Sequence, residues 1–268
     1  MRLWVYSLFS LLALAFPAEA EPRFAECREV FLAQTPPVAR AGTIERCRPG
    51  VAGTSFAIAF EPTRKAPIWA GYALTRATLA ADNPGRLADF TPDPDVPRDL
   101  QARDADFRRS GWDRGHLVPA AVAGRLSERT RIAGNWYTNV AAQAPAHNRG
   151  LWSRLESWTR QQARIHGEVR VLVGTVFAED GAEARIGAGV AVPSHFYLVV
   201  VAPESAMRPA EIVAFLAPNA ADATAEWSAL DPLETRLHAL ETRIAALVPA
   251  ERRPAVRAAV DPAFWALR

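Results

Sequence analysis

Asp113-Arg114-Gly115-His116 sets a titratable imidazole beside a permanent cation, and the stretch from Asn148 to Glu156 sets an amide oxygen and a carboxylate on one short segment. An unperturbed imidazole titrates near pH ~6.5, so His116 can take up a proton at neutral pH. A guanidinium grips phosphate through two parallel hydrogen bonds, which suits Arg114 to contacting phosphate or supporting His116. Amide and carboxylate oxygens suit a hard cation such as Mg²⁺, which keeps several waters and needs one or two protein oxygens. Asn148 can supply one directly. Glu156 lies eight residues further on, about 12 Å of helix rise away. Its side chain leans toward the helix N-terminus and would reach the cation through water. A base, a phosphate clamp and metal-ligating oxygens together match the needs of phosphodiester hydrolysis. That reaction requires a deprotonated water and stabilised charge on the phosphoryl and leaving oxygens.

Each residue also has a plain structural reading. His116 can be polar surface, Asp113-Arg114 an exposed ion pair of little energetic weight, Asn148 a helix N-cap, and Trp152 and Trp158 core. The ordered set, not any member alone, tips the balance toward chemistry.

The elements that must position these groups are legible in outline. Ser55–Phe60 and Pro67–Leu74 read as short strands around a turn at Pro62-Thr63-Arg64-Lys65. Residues 83–112, rich in Pro, Asp and Arg, read as a long ordered loop of the kind that carries function. Leu151, Trp152, Leu155 and Trp158 recur at helical spacing, which predicts a helix over 149–162. Val169–Phe177, Phe196–Val201 and Ile212–Leu216 read as buried strands, with 189–193 leading into the second. Residues 21–53 read as an irregular N-terminal region, and 221–268 as a helical tail with Leu233, Leu237, Leu240, Ile244 and Leu247 along one side. No repeat, Gly/Ser linker or low-complexity tract divides the chain, so residues 21–268 are expected to form one mixed α and β domain.

The first 20 residues have a basic start, a short apolar run and a small-residue ending, Ala18-Glu19-Ala20. This is the pattern of a cleaved secretory signal, with an uncleaved anchor as the alternative. The run falls short of the ~20 apolar residues of a comfortable membrane span, and no later segment is long and apolar enough. The expected destination is therefore the periplasm or the medium. In an oxidising compartment Cys27 and Cys47, the only cysteines, would most simply pair. The net charge of +2 is weak evidence for a polyanionic partner. Lys65 is the one lysine, so nearly all positive charge sits on arginine.

With these residues in view, the chain resembles the DNA/RNA non-specific endonucleases of the ββα-metal fold, a family that includes secreted Serratia-type nucleases and endonuclease G. The resemblance rests on Ser110–Ala120, on Thr138-Asn139-Val140-Ala141-Ala142-Gln143 followed by Asn148–Glu156, and on the flanking stretches Trp69–Thr75 and Val192–Tyr197. It spans roughly residues 55–220. It implies an α+β fold with a central antiparallel sheet, and a hairpin and helix that present the site. It implies His116 as general base, Asn148 as the direct Mg²⁺ ligand with Mn²⁺ as a substitute, and Glu156 in the water-mediated shell. It further implies Asn139 ordering the metal waters or the base, Arg114 as a functional arginine of the motif, Arg160 stabilising the phosphate, and Arg86 as an upstream catalytic arginine. DNA and RNA are the implied substrates. Ala142 stands where the family often has Pro, Val118 where Ala is commoner, and Leu198 where a basic residue often follows the Phe-Tyr pair. Two other readings stay open at this point: a nucleic-acid-binding protein with weak or lost catalysis, and a phosphodiesterase acting on small or envelope phosphoesters.

Overall fold

The computed structural model describes residues 24–31, 36–37, 41–50, 55–178, 181–203 and 211–220. The expected leader and the expected helical tail both lie outside the described residues.

Six antiparallel strands form the central sheet: β1 (Ile44–Pro49), β2 (Ser55–Glu61), β3 (Ala66–Thr75), β6 (Glu168–Val176), β9 (His195–Ala202) and β10 (Glu211–Pro218). They lie in the order β1-β2-β3-β6-β9-β10. Side chains alternate across a strand, and here both faces are buried, which explains the continuous apolar runs. Phe56 and Ile58 on β2, with Phe196, Leu198 and Val200 on β9, face one core. Ala57 and Ala59, with Tyr197 and Val199, face the other.

The first core is closed by helices: α3 (Ala120–Leu126) and α4 (Glu128–Gly134) contribute Val122, Ala123, Leu126 and Ala133, and α5 (Ser153–His166) contributes Leu155, Trp158 and Ala163. Leu198, where the family often has a basic residue, is part of this core at 4% exposure. The second core is lined by Phe24, Cys27, Val30 and Phe31 from the N-terminal segment. Phe24, Phe31 and Trp69 pack ring against ring there.

The N-terminal region is more regular than its turn-rich composition suggests. Ala25–Val30 is a 3-10 turn and β1 is an edge strand, and the disulfide between Cys27 and Cys47 ties the two together. The pairing supplies what local sequence lacked, because β1 is held in place by its neighbour and by the cross-link. Between β3 and the motif run α1 (Arg76–Ala80), the expected long loop, and α2 (Asp104–Phe107). That loop is ordered by buried polar groups. Asp93, 1% exposed, accepts hydrogen bonds from Arg48 and from Thr138 Oγ1 (2.8 Å), while Gln101 bonds its backbone at N (2.7 Å) and O (2.8 Å). Arg48 also stacks over Trp136, 4.6 Å from the ring centroid.

The motif strand β4 (Asp113–His116) pairs antiparallel with β5 (Val140–Gln143), with Asp113 opposite Gln143 and His116 opposite Val140. The two strands with α5 make a ββα unit. A methyl group on Gly115 would overlap the buried Gln143 side chain, so the motif requires glycine there. The hairpin β7 (Arg185–Ile186) and β8 (Val190–Ala191) is separate from the main sheet, so 189–193 does not simply extend into β9.

Removing Asp93 would leave Arg48, whose side chain is 6% exposed, with only the half-exposed Asp95 as partner. Breaking a buried pair from one side costs about 3–5 kcal/mol. Asp93→Ala should therefore lower unfolding stability by about that amount in urea titrations, whereas a loss under about 1 kcal/mol would show that the pair behaves like a surface bridge.

Candidate active site

Strand β4 carries groups on both of its faces. Arg114 and His116 project to one side; Asp113 and Gly115 project to the other. The two sides gather different chemistry.

On the first side His116 packs against the ring of Phe90, with centroids 5.0 Å apart. Its Nε2 lies 3.0 Å from Asn135 Oδ1. The Asn135 amide nitrogen donates to two loop carbonyls, Leu87 O at 3.2 Å and Asp89 O at 3.0 Å. That fixes Oδ1 toward the imidazole, so Nε2 must carry the proton and donate it. Nδ1 is left with its lone pair free. Burial lowers the His116 pKa to about 4; the Asn135 hydrogen bond opposes the shift and the positive charge of Arg86 adds to it. The imidazole is therefore neutral at physiological pH. Arg86 and Arg114 both lie over Phe90, at 5.3 Å and 5.0 Å from its centroid. Arg114 also pairs with Asp104.

At the start of the strand, Asn148 Nδ2 donates to Asp113 Oδ2 at 2.9 Å. Arg149 brackets the same carboxylate, Nε to Oδ2 at 2.9 Å and a terminal nitrogen to Oδ1 at 2.7 Å. Burial alone would raise the Asp113 pKa, but the hydrogen bonds from Arg149 and Asn148 and the charges of Arg149 and Arg114 hold it below the usual carboxylate range. Asp113 thus orients the Asn148 amide so that Oδ1 remains available. Asn148 is not an N-cap: its backbone N–H already bonds Ala144 O at 2.8 Å, and it sits inside a π-helical turn, His147–Trp152, that runs into α5. Such turns are often found at functional sites.

Glu156 and Arg160 follow on α5, one turn apart. Burial raises the Glu156 carboxyl to about 7, against the pull of Arg160. Arg160 donates to Ser157 Oγ at 2.8 Å, and its other terminal nitrogen is buried with no partner among the described residues. No group of three or more His, Cys, Asp or Glu side chains among the described residues is arranged to hold a metal ion. The available oxygens of Asn148 and Glu156 instead fit a cation that is content with one or two protein ligands and water.

Asn139 is placed differently from the expectation. It is fully buried, and its amide is spent on backbone: Oδ1 accepts from Val118 N at 2.9 Å, and Nδ2 donates to Val118 O at 3.0 Å and Gly134 O at 2.8 Å. It pins the chain just after His116, so its hold on the base runs through the backbone at Val118. Asn135 and Phe90 were missed by sequence reasoning. An isolated Asn before Trp136 and an isolated Phe in a loop carry no local signal, since both acquire roles only through contacts distant along the chain.

Comparison with known proteins identifies the family. The sequence pattern described as DNA/RNA non-specific endonuclease matches residues 49–242. The chain is 33% identical over 175 residues to human "Endonuclease G, mitochondrial" (62% of this chain, 58% of the relative). It is 31% identical over 177 residues to "Nuclease EXOG, mitochondrial" of Danio rerio (62% and 51%). It spans about half the length of the EXOG relatives it matches. A chain of a crystal structure of an EndoG/EndoGI complex superposes with a TM-score of 0.62 at 25% identity, covering 86% of this chain and 93% of that one. The match over most of its length, on a ββα unit that carries the motif, establishes that the chain belongs to the DNA/RNA non-specific endonuclease family.

Proposed function

We propose that this chain is a Mg²⁺-dependent endonuclease that hydrolyses phosphodiester bonds of DNA and RNA without sequence preference. The observation that carries this reading is a pair of half-committed side chains. Asn135 uses up Nε2 of His116 and leaves Nδ1 basic. Asp113 uses up the amide nitrogen of Asn148 and leaves its oxygen for a cation. Family membership and the names of the nuclease relatives support it.

His116 Nδ1 takes a proton from water as the water oxygen attacks phosphorus. Arg86 and Arg114, permanently charged, hold the phosphoryl oxygens as negative charge builds on them. Arg160, with a spare N–H, serves the same charge from α5. Asn148, with Glu156 through water, would hold Mg²⁺, which acts as a Lewis acid toward the phosphate and the leaving oxygen; Mn²⁺ would substitute. The P–O bond to the 3′ oxygen breaks, and that oxygen takes up a proton from solvent water, leaving 5′-phosphate and 3′-hydroxyl ends; the proton on His116 returns to solvent. Contacts to phosphate position the polymer without reading its bases.

We also propose export to the periplasm or medium, supported by the pattern of residues 1–20 and by the Cys27–Cys47 disulfide. Mass spectrometry of protein recovered from outside the cytoplasm should find the mature chain starting at Glu21; an intact residue 1 there would sink the leader reading.

The test of activity is cleavage of plasmid, single-stranded DNA and RNA. Wild type should degrade all three with Mg²⁺, and EDTA should abolish the reaction. His116→Ala should lose at least about 100-fold in kcat, the lower range of general-base contributions. Asn148→Ala should need far more Mg²⁺ to reach its own maximum. Unchanged cleavage by His116→Ala would refute the mechanism, and cleavage of none of the polymers would favour binding alone or small phosphoesters.

The pH profile is a second test. Only neutral His116 can accept the proton, so activity requires pH above its pKa. With saturating Mg²⁺ keeping Glu156 ionised, the acid limb of kcat/KM should lie near the lowered value of about 4. An acid limb near ~6.5, the unperturbed imidazole value, would contradict the buried base.

A further inference from the structure

Phe90 lies outside the proposed chemistry and touches three of its members. Its ring meets the His116 imidazole at 5.0 Å, tilted by 34°, and the Arg114 and Arg86 guanidinium carbons lie 5.0 Å and 5.3 Å from its centroid. We infer that Phe90 is a positioning residue: its aromatic face holds Arg86 and Arg114 beside His116 so that both cations meet the phosphate next to the base. This rests on the nuclease reading above.

Three observations carry it. The two arginines come from separate segments, one from the long loop and one from β4, and share this aromatic surface. Guanidinium groups favour the negative face of an aromatic ring within about 6 Å, and the attraction grows as water is excluded. The ring itself is fixed. On one side Asn135 Nδ2 bonds Asp89 O (3.0 Å); on the other, Thr91 N bonds Asn135 O (3.1 Å) and Tyr137 N bonds Thr91 O (3.0 Å). Tyr137 stacks beside Phe90 at 6.3 Å, and Phe107 stacks on Tyr137 at 6.3 Å. Arg131 Nε holds Gly85 O at 3.0 Å, steadying the loop just before Arg86. Two cations, an imidazole and a tyrosine surround the ring. Its role lies in arranging the arginines.

An aliphatic replacement should therefore separate shape from aromaticity. In Phe90→Leu, kcat should fall about fivefold or more, with a smaller change in KM, the scale of two cation–π contacts at partly exposed sites. Phe90→Tyr should recover most of the loss. In an Arg86→Ala/Arg114→Ala background, Phe90→Leu should cost less than about threefold, because coupled residues are not additive. Equal loss in both backgrounds, or no recovery with tyrosine, would overturn the inference and make the ring mere packing. An independent readout needs no catalysis. The side-chain NMR signals of Arg86 and Arg114 should carry upfield ring-current shifts that vanish in Phe90→Leu and persist in Phe90→Tyr. If wild type cleaves no polymer with Mg²⁺, the nuclease reading fails, and the arginine spectra still decide whether Phe90 holds the two cations.

Discussion

The buried ion pair between Arg48 and Asp93 is the constraint on which the site depends. A charge out of water must be matched by another charge and by hydrogen bonds, and Asp93 meets that demand by drawing in groups from distant segments. Arg48 comes from edge strand β1, Gln101 from the long loop, and Thr138 from the turn that carries Asn139. The loop between α1 and α2 is therefore not free to choose its path. It must bring Asp93 to Arg48, and doing so sets residues 85–91 against the end of α4. The disulfide at Cys47, next to Arg48, anchors the far end of the same chain of contacts.

Downstream of that constraint, reactivity is shaped by amides more than by charges. Asn135, Asn139 and Asn148 sit close together in sequence and do three different things. Asn139 is wholly spent on backbone, Asn135 on two carbonyls and a ring nitrogen, and Asn148 on one carboxylate. An amide has a donor end and an acceptor end, so fixing one end decides what the other offers. In this way hydrogen bonds to amides dictate a histidine tautomer and set the direction of the Asn148 oxygen.

Much of the frame could be read from the sequence. The continuous apolar runs at 55–60, 169–177 and 196–201 mark strands buried on both faces, and the Leu/Trp spacing after Asn148 marks α5. The motif residues were legible because their types are chemically unusual in combination. What escaped was whatever depends on long-range pairing. β1 is hidden among Pro and Gly signals and exists as a strand through its partner and its cross-link. The backbone contacts of Asn139 were not legible, because a motif position says which residue is there and not which way it faces. Phe90 and Asn135 are ordinary residues until the loop folds back onto α4.

The placement of Asp113 and His116 on opposite faces of a four-residue strand has a consequence for folding quality. A slip of one residue between β4 and β5 exchanges the faces, so the imidazole would meet Gln143 and the carboxylate would meet an aromatic ring. No half-correct arrangement of that short ribbon keeps both the basic nitrogen and the anchored amide. Molecules that pair wrongly there would be inert whatever the integrity of the large sheet. In a protein able to cut nucleic acid, activity would then report that the smallest sheet in the fold has closed correctly.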